Sequence, residues 1–163
     1  MNIIAYSDND CAGNKESRIS VSGFIILLND APIRWRSKAQ CSIPLRSSDA
    51  EYVVLSEAAN EVKFMLMVLN STSLEVKLPN IVRVDNVGAI FMSENATTSN
   101  RTKHVDTRYR FVNEFVEDRF IEIIFVKTKE NVTDIFRENT SGEIRNHHHN
   151  KMDKAIETKQ EGC

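Results

Sequence analysis

Long apolar runs and a leader-like amino end are both missing from this sequence of 163 residues. No stretch of about 18 consecutive apolar residues occurs, so no segment is predicted to span a membrane. The first residues carry neither the basic region nor the apolar core of a secretion signal. These absences predict an intracellular protein, cytoplasmic or nuclear, that is not secreted.

Cysteine is also scarce, with only three residues, and neither positive nor negative charge dominates the sequence. Cys11, Cys41 and Cys163 form an odd set without the spacing of a metal site, which argues against a disulfide framework and fits a reducing compartment. The formal net charge of -2 neither requires nor excludes a polyanionic partner. The placement of the cations therefore matters more than their number.

What the chain does have is a succession of strand and helix patterns. Strands are predicted over residues 3–8, 19–28, 33–38, 80–85 and 120–126, and helices over residues 48–69, around Ile90 and Phe91, 105–116 and 132–137. Hairpin-linked strands come first and strand–helix alternation follows, which predicts an α/β fold with a mixed sheet and helices packed on it. Residues 1–140 are expected to form one domain, and residues 141–163 a polar, disordered tail.

Four carboxylates stand at the ends of these predicted elements. Asp8 and Asp85 each end a strand, and both would serve equally as turn-initiating aspartates. Glu51 lies on the apolar stripe at the start of the first long helix, where it also completes a capping box with Ser48. Asp134 lies in the first turn of the last helix, where an acid stabilises the helix dipole.

Taken as a set, the four carboxylates predict a metal site as well. If they converge at one sheet edge, their like charges repel unless divalent cations neutralise them. A cluster of carboxylates without histidine or cysteine suits Mg²⁺. Two such ions about 3.5–4 Å apart would hold the attacking water and the leaving oxygen of a phosphodiester.

Two groups of cations are candidates for contacting phosphates. Arg34, Arg36 and Lys38 alternate with Ile33 and Trp35 along a predicted strand, so they line one of its faces. This basic strip is either a solvated edge face or a nucleic-acid contact. The second group consists of Arg101, Lys103, His104 and Arg108.

Seven stretches in order resemble the ribonuclease H domain of copia-type retrotransposon polyproteins. They are YSDNDCAG, RISVSGFI, PIRWRSKAQ, RSSDAEYVVLSEAANEVKFM, VDNVGAI, RTKHVDTRYRFVNEFVED and IEIIFVKTKENVTDIF. The similarity runs from Tyr6 to about Phe136, and seven matches with family-like spacing are far more specific than any one of them.

The resemblance implies a ribonuclease H-like fold, in which a five-stranded mixed sheet is flanked by helices. It implies a magnesium-dependent endoribonuclease that hydrolyses the RNA strand of RNA–DNA hybrids with two Mg²⁺ ions, for which Mn²⁺ can substitute. The family's metal-binding residues fall on Asp8, Glu51, Asp85 and Asp134. The implied partners are the hybrid and, in a full-length polyprotein, an adjoining reverse transcriptase.

The chain also departs from the family pattern. Cys11 stands where a tryptophan is usual, Thr133 stands where an alanine is usual, and RENTSGE follows Phe136 in place of Thr-Lys-Pro. These departures favour a copy detached from its element, so a catalytically inactive, RNA- or hybrid-binding remnant is the alternative function. A purely structural domain of a polyprotein is a third. Many cellular ribonucleases H place a helpful histidine in the loop before the last helix, where this chain has none. His104 precedes an earlier helix and is expected to be a helix-start or substrate-side residue.

Overall fold

The computed structural model of the chain describes residues 1–10, 21–39, 47–94 and 103–133. Its strands are β1 (Ile3–Asp10), β2 (Val21–Leu28), β3 (Ala31–Ala39), β4 (Asn80–Val84) and β5 (Ile121–Phe125). Its helices are α1 (Ser47–Ser71), α2 (Val87–Glu94) and α3 (Lys103–Glu117), and a 3₁₀ turn follows at Thr128–Glu130. The predicted disordered tail, residues 141–163, lies outside the described residues.

The five strands form one mixed sheet in the order β3-β2-β1-β4-β5. The first three strands pair antiparallel, whereas β4 pairs parallel with both β1 and β5. The β2–β3 hairpin closes through Asn29 and Asp30, whose φ angles are 49° and 69°. Positive φ at both central residues is typical of the type I′ turn, whose twist matches that of the strands. The predicted mixed sheet with flanking helices is confirmed.

The main core lies between one face of the sheet and the three helices. The apolar stripe predicted on α1 forms its centre, since Leu55, Ala58 and Val62 are completely buried against the sheet. Leu69 is buried as well, while Met65 packs at the margin. This burial fixes the rotation of α1 about its axis and therefore the direction in which its first residues point.

Contacts of two tyrosines link α1 to α3 and α3 to α2. The rings of Tyr52 and Tyr109 stack with their centroids 3.9 Å apart. The hydroxyl of Tyr52 lies 3.1 Å from the amide of Asn113, and the hydroxyl of Tyr109 lies 3.0 Å from the sulfur of Met92. Since Tyr52 follows Glu51 directly, these contacts hold the first turns of α1 in place.

The other face of the sheet has a smaller core. Tyr6, Ile25 and Leu27 are buried there together with Val132, which belongs to the segment after β5. Of the helix predicted over residues 132–137, residues 134–137 lie outside the described residues. No helix in the described ranges has both the length and the apolarity needed to cross a bilayer.

Candidate metal centre

Asp8 and Asp85 are brought together by the parallel pairing of β1 and β4. The last paired residues of this ladder are Ser7 and Val84. Asp8 is the next residue of β1, and Asp85 is the first residue after β4. Because β1 and β4 run parallel, both aspartates lie at the same end of this ladder. β1 itself continues to Asp10, still paired with β2, so the predicted strand end at Asp8 is wrong, whereas Asp85 does follow the last residue of β4. Asp8 is fully buried, whereas Asp85 is half-buried.

Glu51 reaches the same place from the first turns of α1. Its side chain is buried, and oxygen atoms of Asp8, Glu51 and Asp85 all lie within 4.8 Å of one another. These three residues are called the carboxylate cluster below. The structure thus brings together three of the four predicted carboxylates, while Asp134 lies outside the described residues.

The chemistry of the carboxylate cluster fits a divalent cation. Two carboxylate charges 4.8 Å apart repel each other by about 3 kcal/mol at an effective dielectric of about 20. An oxygen-binding divalent ion removes this repulsion, and three carboxylates without nitrogen or sulfur donors are typical of Mg²⁺ or Mn²⁺ sites. Asp8 and Glu51 are buried and Asp85 is half-buried, so these three residues would hold an ion at a site that solvent can reach beside Asp85.

The segment after β5 runs along the same edge of the sheet. The backbone N–H of Val126 donates to the carbonyl of Val84 at 2.8 Å. The amide nitrogen of Asn131 donates to the carbonyl of Ser7 at 3.1 Å. Asn131 was not among the residues predicted for the site, although an asparagine two residues before a threonine is a common signal for a local side-chain turn.

The basic strip lies on the face of β3 toward α1, and α1 supplies acids to it. Arg34 donates to Glu61 at 2.8 Å, and Arg36 lies 3.4 Å from Glu57. The hydrogen bond and the charge of Glu61 raise the pKa of Arg34. The two arginines are thus paired within the protein. Trp35 points to the opposite face and is 60% exposed.

The remaining predicted cations are described only in part. Arg108 is exposed on α3, which begins at Lys103 and continues through His104. Nothing is described of the side chains of Lys103 and His104, and Arg101 lies outside the described residues. The second cation group therefore stays a prediction.

Two plant transposon polyproteins are similar to the chain in sequence. The retrovirus-related Pol polyprotein from transposon RE1 of Arabidopsis thaliana is 30% identical over 134 residues, which are 82% of this chain and 9% of the polyprotein. The one from transposon TNT 1-94 of Nicotiana tabacum is 32% identical over 130 residues, 80% of this chain and 10% of the polyprotein. The chain thus spans about a tenth of the length of these relatives. No protein-family model matches the chain.

Solved structures with the same fold are ribonucleases H. The amino-terminal RNase H domain of a Mycobacterium tuberculosis protein superposes with a TM-score of 0.59 at 12% identity, over 96% of this chain and 97% of that one. LC11-RNase H1, solved in complex with an RNA/DNA hybrid, gives a TM-score of 0.58 at 15% identity, over 83% of this chain and 93% of that one. These likenesses confirm the fold.

Proposed function

We propose that this chain, a homologue of the Pol polyproteins of copia-type transposons with a ribonuclease H fold, is a metal-dependent endonuclease that cuts the RNA strand of RNA–DNA hybrids. The observation that carries the proposal is the carboxylate cluster, whose oxygens lie within 4.8 Å of one another where the parallel β1–β4 ladder ends. A fold alone supports many functions, whereas this constellation supports phosphodiester hydrolysis in particular.

In this proposal the carboxylate cluster holds Mg²⁺, and Asp134 supplies a further carboxylate as predicted from the sequence. Bound divalent ions supply an activated water and stabilise charge on the leaving oxygen of a phosphodiester. The protein contributes rigid ligand placement, since Asp8 and Glu51 are buried and cannot reorient freely. Half-buried Asp85 lies where a phosphate can approach from solvent.

The hybrid substrate is supported by the complex of LC11-RNase H1 with an RNA/DNA hybrid. Recognition of a hybrid rests on helix shape, backbone and 2′-hydroxyl contacts rather than on base sequence. Such recognition needs scattered cations, and the exposed Lys38 and Arg108 are available for it. With a net charge of -2, hybrid affinity is expected to be modest and to fall with salt. In a full-length polyprotein an adjoining reverse transcriptase would add further contacts.

The test is Mg²⁺-dependent cleavage of an end-labelled RNA–DNA hybrid beside duplex DNA and single-stranded RNA of the same sequence. We expect cleavage of the RNA strand of the hybrid only, no cleavage in EDTA, and a loss of about a hundredfold or more in Asp8→Asn. Asp118→Asn, which changes an exposed acid after α3, is the matched control and should cleave normally. Binding without cleavage by the wild-type protein would instead identify an inactive hybrid-binding remnant.

A further inference from the structure

The segment after β5, residues 126–133, makes one hydrogen bond to each strand that carries an aspartate of the cluster. We call it the edge segment. The backbone N–H of Val126 donates to the carbonyl of Val84 at 2.8 Å, and the side-chain amide of Asn131 donates to the carbonyl of Ser7 at 3.1 Å. Each of these carbonyls belongs to the residue directly before a cluster aspartate. The edge segment therefore contacts the backbone immediately behind both Asp8 and Asp85.

The two bonds differ in origin. The bond from Val126 is a backbone bond that extends the parallel pairing of β4 and β5, so any residue except proline can make it. The bond from Asn131 comes from a side chain and depends on the identity of that residue. It is also the longer-range of the two, joining residues 124 positions apart in the chain. Asn131 thus links the edge segment to β1 through a side-chain hydrogen bond that other residue types would not make in the same way.

The amide of Asn131 has its orientation set by its neighbours. Its Oδ1 accepts from the hydroxyl of Thr133 at 2.7 Å and from the backbone N–H of Thr133 at 3.3 Å. With the oxygen turned toward two donors, the nitrogen faces the carbonyl of Ser7. Asn131 and Thr133 are both completely buried, so water does not compete for these bonds. Between them, Val132 is buried in one cluster with Tyr6, Ile25 and Leu27, which anchors the edge segment to the sheet.

We propose that Asn131 is a positioning residue of the carboxylate cluster and that Thr133 fixes the orientation of its amide. The inference rests on the proposed function, because it assigns Asn131 a role toward the metal. The carbonyl of Ser7 lies in the same peptide plane as the N–H of Asp8, so holding it fixes the orientation of the peptide that directly precedes Asp8. Residues that orient metal ligands typically change metal affinity by about 10–100-fold when replaced.

Asn80 provides a matched control at the other end of β4. It is also a buried asparagine whose amide nitrogen donates to a backbone carbonyl, that of Phe120, at 3.0 Å. It lies at the first residue of β4, whereas Asp85 follows the last. Asn131→Leu and Asn80→Leu therefore each remove a hydrogen bond from a side-chain amide to a backbone carbonyl. The first bond is near the carboxylate cluster and the second is far from it.

The experiment measures Mn²⁺ binding to the full chain by electron paramagnetic resonance of the free ion, with thermal unfolding recorded in EDTA. We expect Mn²⁺ affinity to fall about tenfold in Asn131→Leu and to stay within twofold of wild type in Asn80→Leu. Equal Mn²⁺ affinities in the two variants would overturn the positioning role. Unfolding in EDTA shows that each variant is folded at the temperature of the binding measurement.

A milder pair of variants keeps the test decisive if Asn131→Leu does not fold. Thr133→Val preserves the shape of the side chain but removes the hydroxyl that orients the amide, and Thr133→Ser keeps the hydroxyl. We expect a loss of Mn²⁺ affinity of about tenfold in Thr133→Val, the low end of the range of about 10–100-fold for such residues, and recovery in Thr133→Ser. The same loss in both variants would mean that packing, and not the hydroxyl, matters.

The outcomes also separate this inference from the proposed function. One outcome is that the Mn²⁺ affinities of wild type and variants follow the expected order while the wild type does not cleave the hybrid. This outcome would support the positioning role and refute the nuclease. Cleavage by wild type with no difference in Mn²⁺ affinity between Asn131→Leu and Asn80→Leu would do the reverse. A wild-type chain that binds no divalent ion would refute both.

Discussion

At the scale of single residues, Asp85 differs from its two partners in its access to solvent. It is half-buried, whereas Asp8 and Glu51 are buried. Asp85→Asn is expected to abolish cleavage while hybrid affinity stays the same or rises, because the change removes a metal ligand and also a negative charge that repels phosphate. Single-turnover cleavage and equilibrium binding in EDTA measure the two effects separately. Unchanged turnover would show that the activity lies elsewhere.

Glu51 allows a residue-scale test of two roles that its sequence position left open. If its carboxylate mainly repels those of Asp8 and Asp85, Glu51→Gln should stabilise the metal-free protein by about 1–3 kcal/mol, which is an increase in Tm of several degrees. If Glu51 mainly caps α1, the same change should leave Tm nearly unchanged, because a glutamine also completes a capping box. Thermal unfolding in EDTA decides between them, with the exposed Glu114→Gln as control. We expect stabilisation that disappears when Mg²⁺ is added.

At the scale of elements, two ion pairs join β3 to α1. Glu61 and Glu57 pair with Arg34 and Arg36, while Lys38 has no carboxylate partner among the described residues. Lys38→Gln is therefore expected to weaken hybrid binding and to lower the slope of log affinity against log salt by about 0.7–0.9, the value for one phosphate contact. Arg34→Gln should change the slope less. A larger effect of Arg34→Gln would mean that hybrid binding displaces Glu61.

The local sequence pattern predicted the helices and strands, but it did not predict the side-chain contacts between them. The stripe of Leu55, Ala58 and Val62 predicted α1 to within two residues, because the helical period is a property of neighbouring positions. Glu51 stayed ambiguous because a capping box and a metal ligand have the same spacing. The bond from Asn131 to Ser7 could not be predicted, since the two residues are 124 positions apart and only the fold brings them together.

At the scale of the whole molecule, the boundary of the domain is a prediction that deletion can test. The chain ending at residue 140 is expected to unfold within about 2 °C of the full chain, because residues 141–163 have too few apolar side chains to bury a core. Thermal unfolding and Mn²⁺ binding of the two chains measure this directly. A Tm lower by more than about 5 °C would show that the last residues pack on the domain.

The sheet as a whole sets one practical property of the protein, through its edge strand β3. Trp35 is the single tryptophan of the chain, and 60% of its surface is in water. Its indole fluorescence should already be that of a solvent-exposed ring, so the wavelength of maximum emission should change little when the chain unfolds. Iodide or acrylamide should quench it strongly in the folded state, and a macromolecule that settles on β3 should shield it from them. The stacked rings of Tyr52 and Tyr109, held rigidly in the core, should instead give the near-ultraviolet circular dichroism that disappears on unfolding.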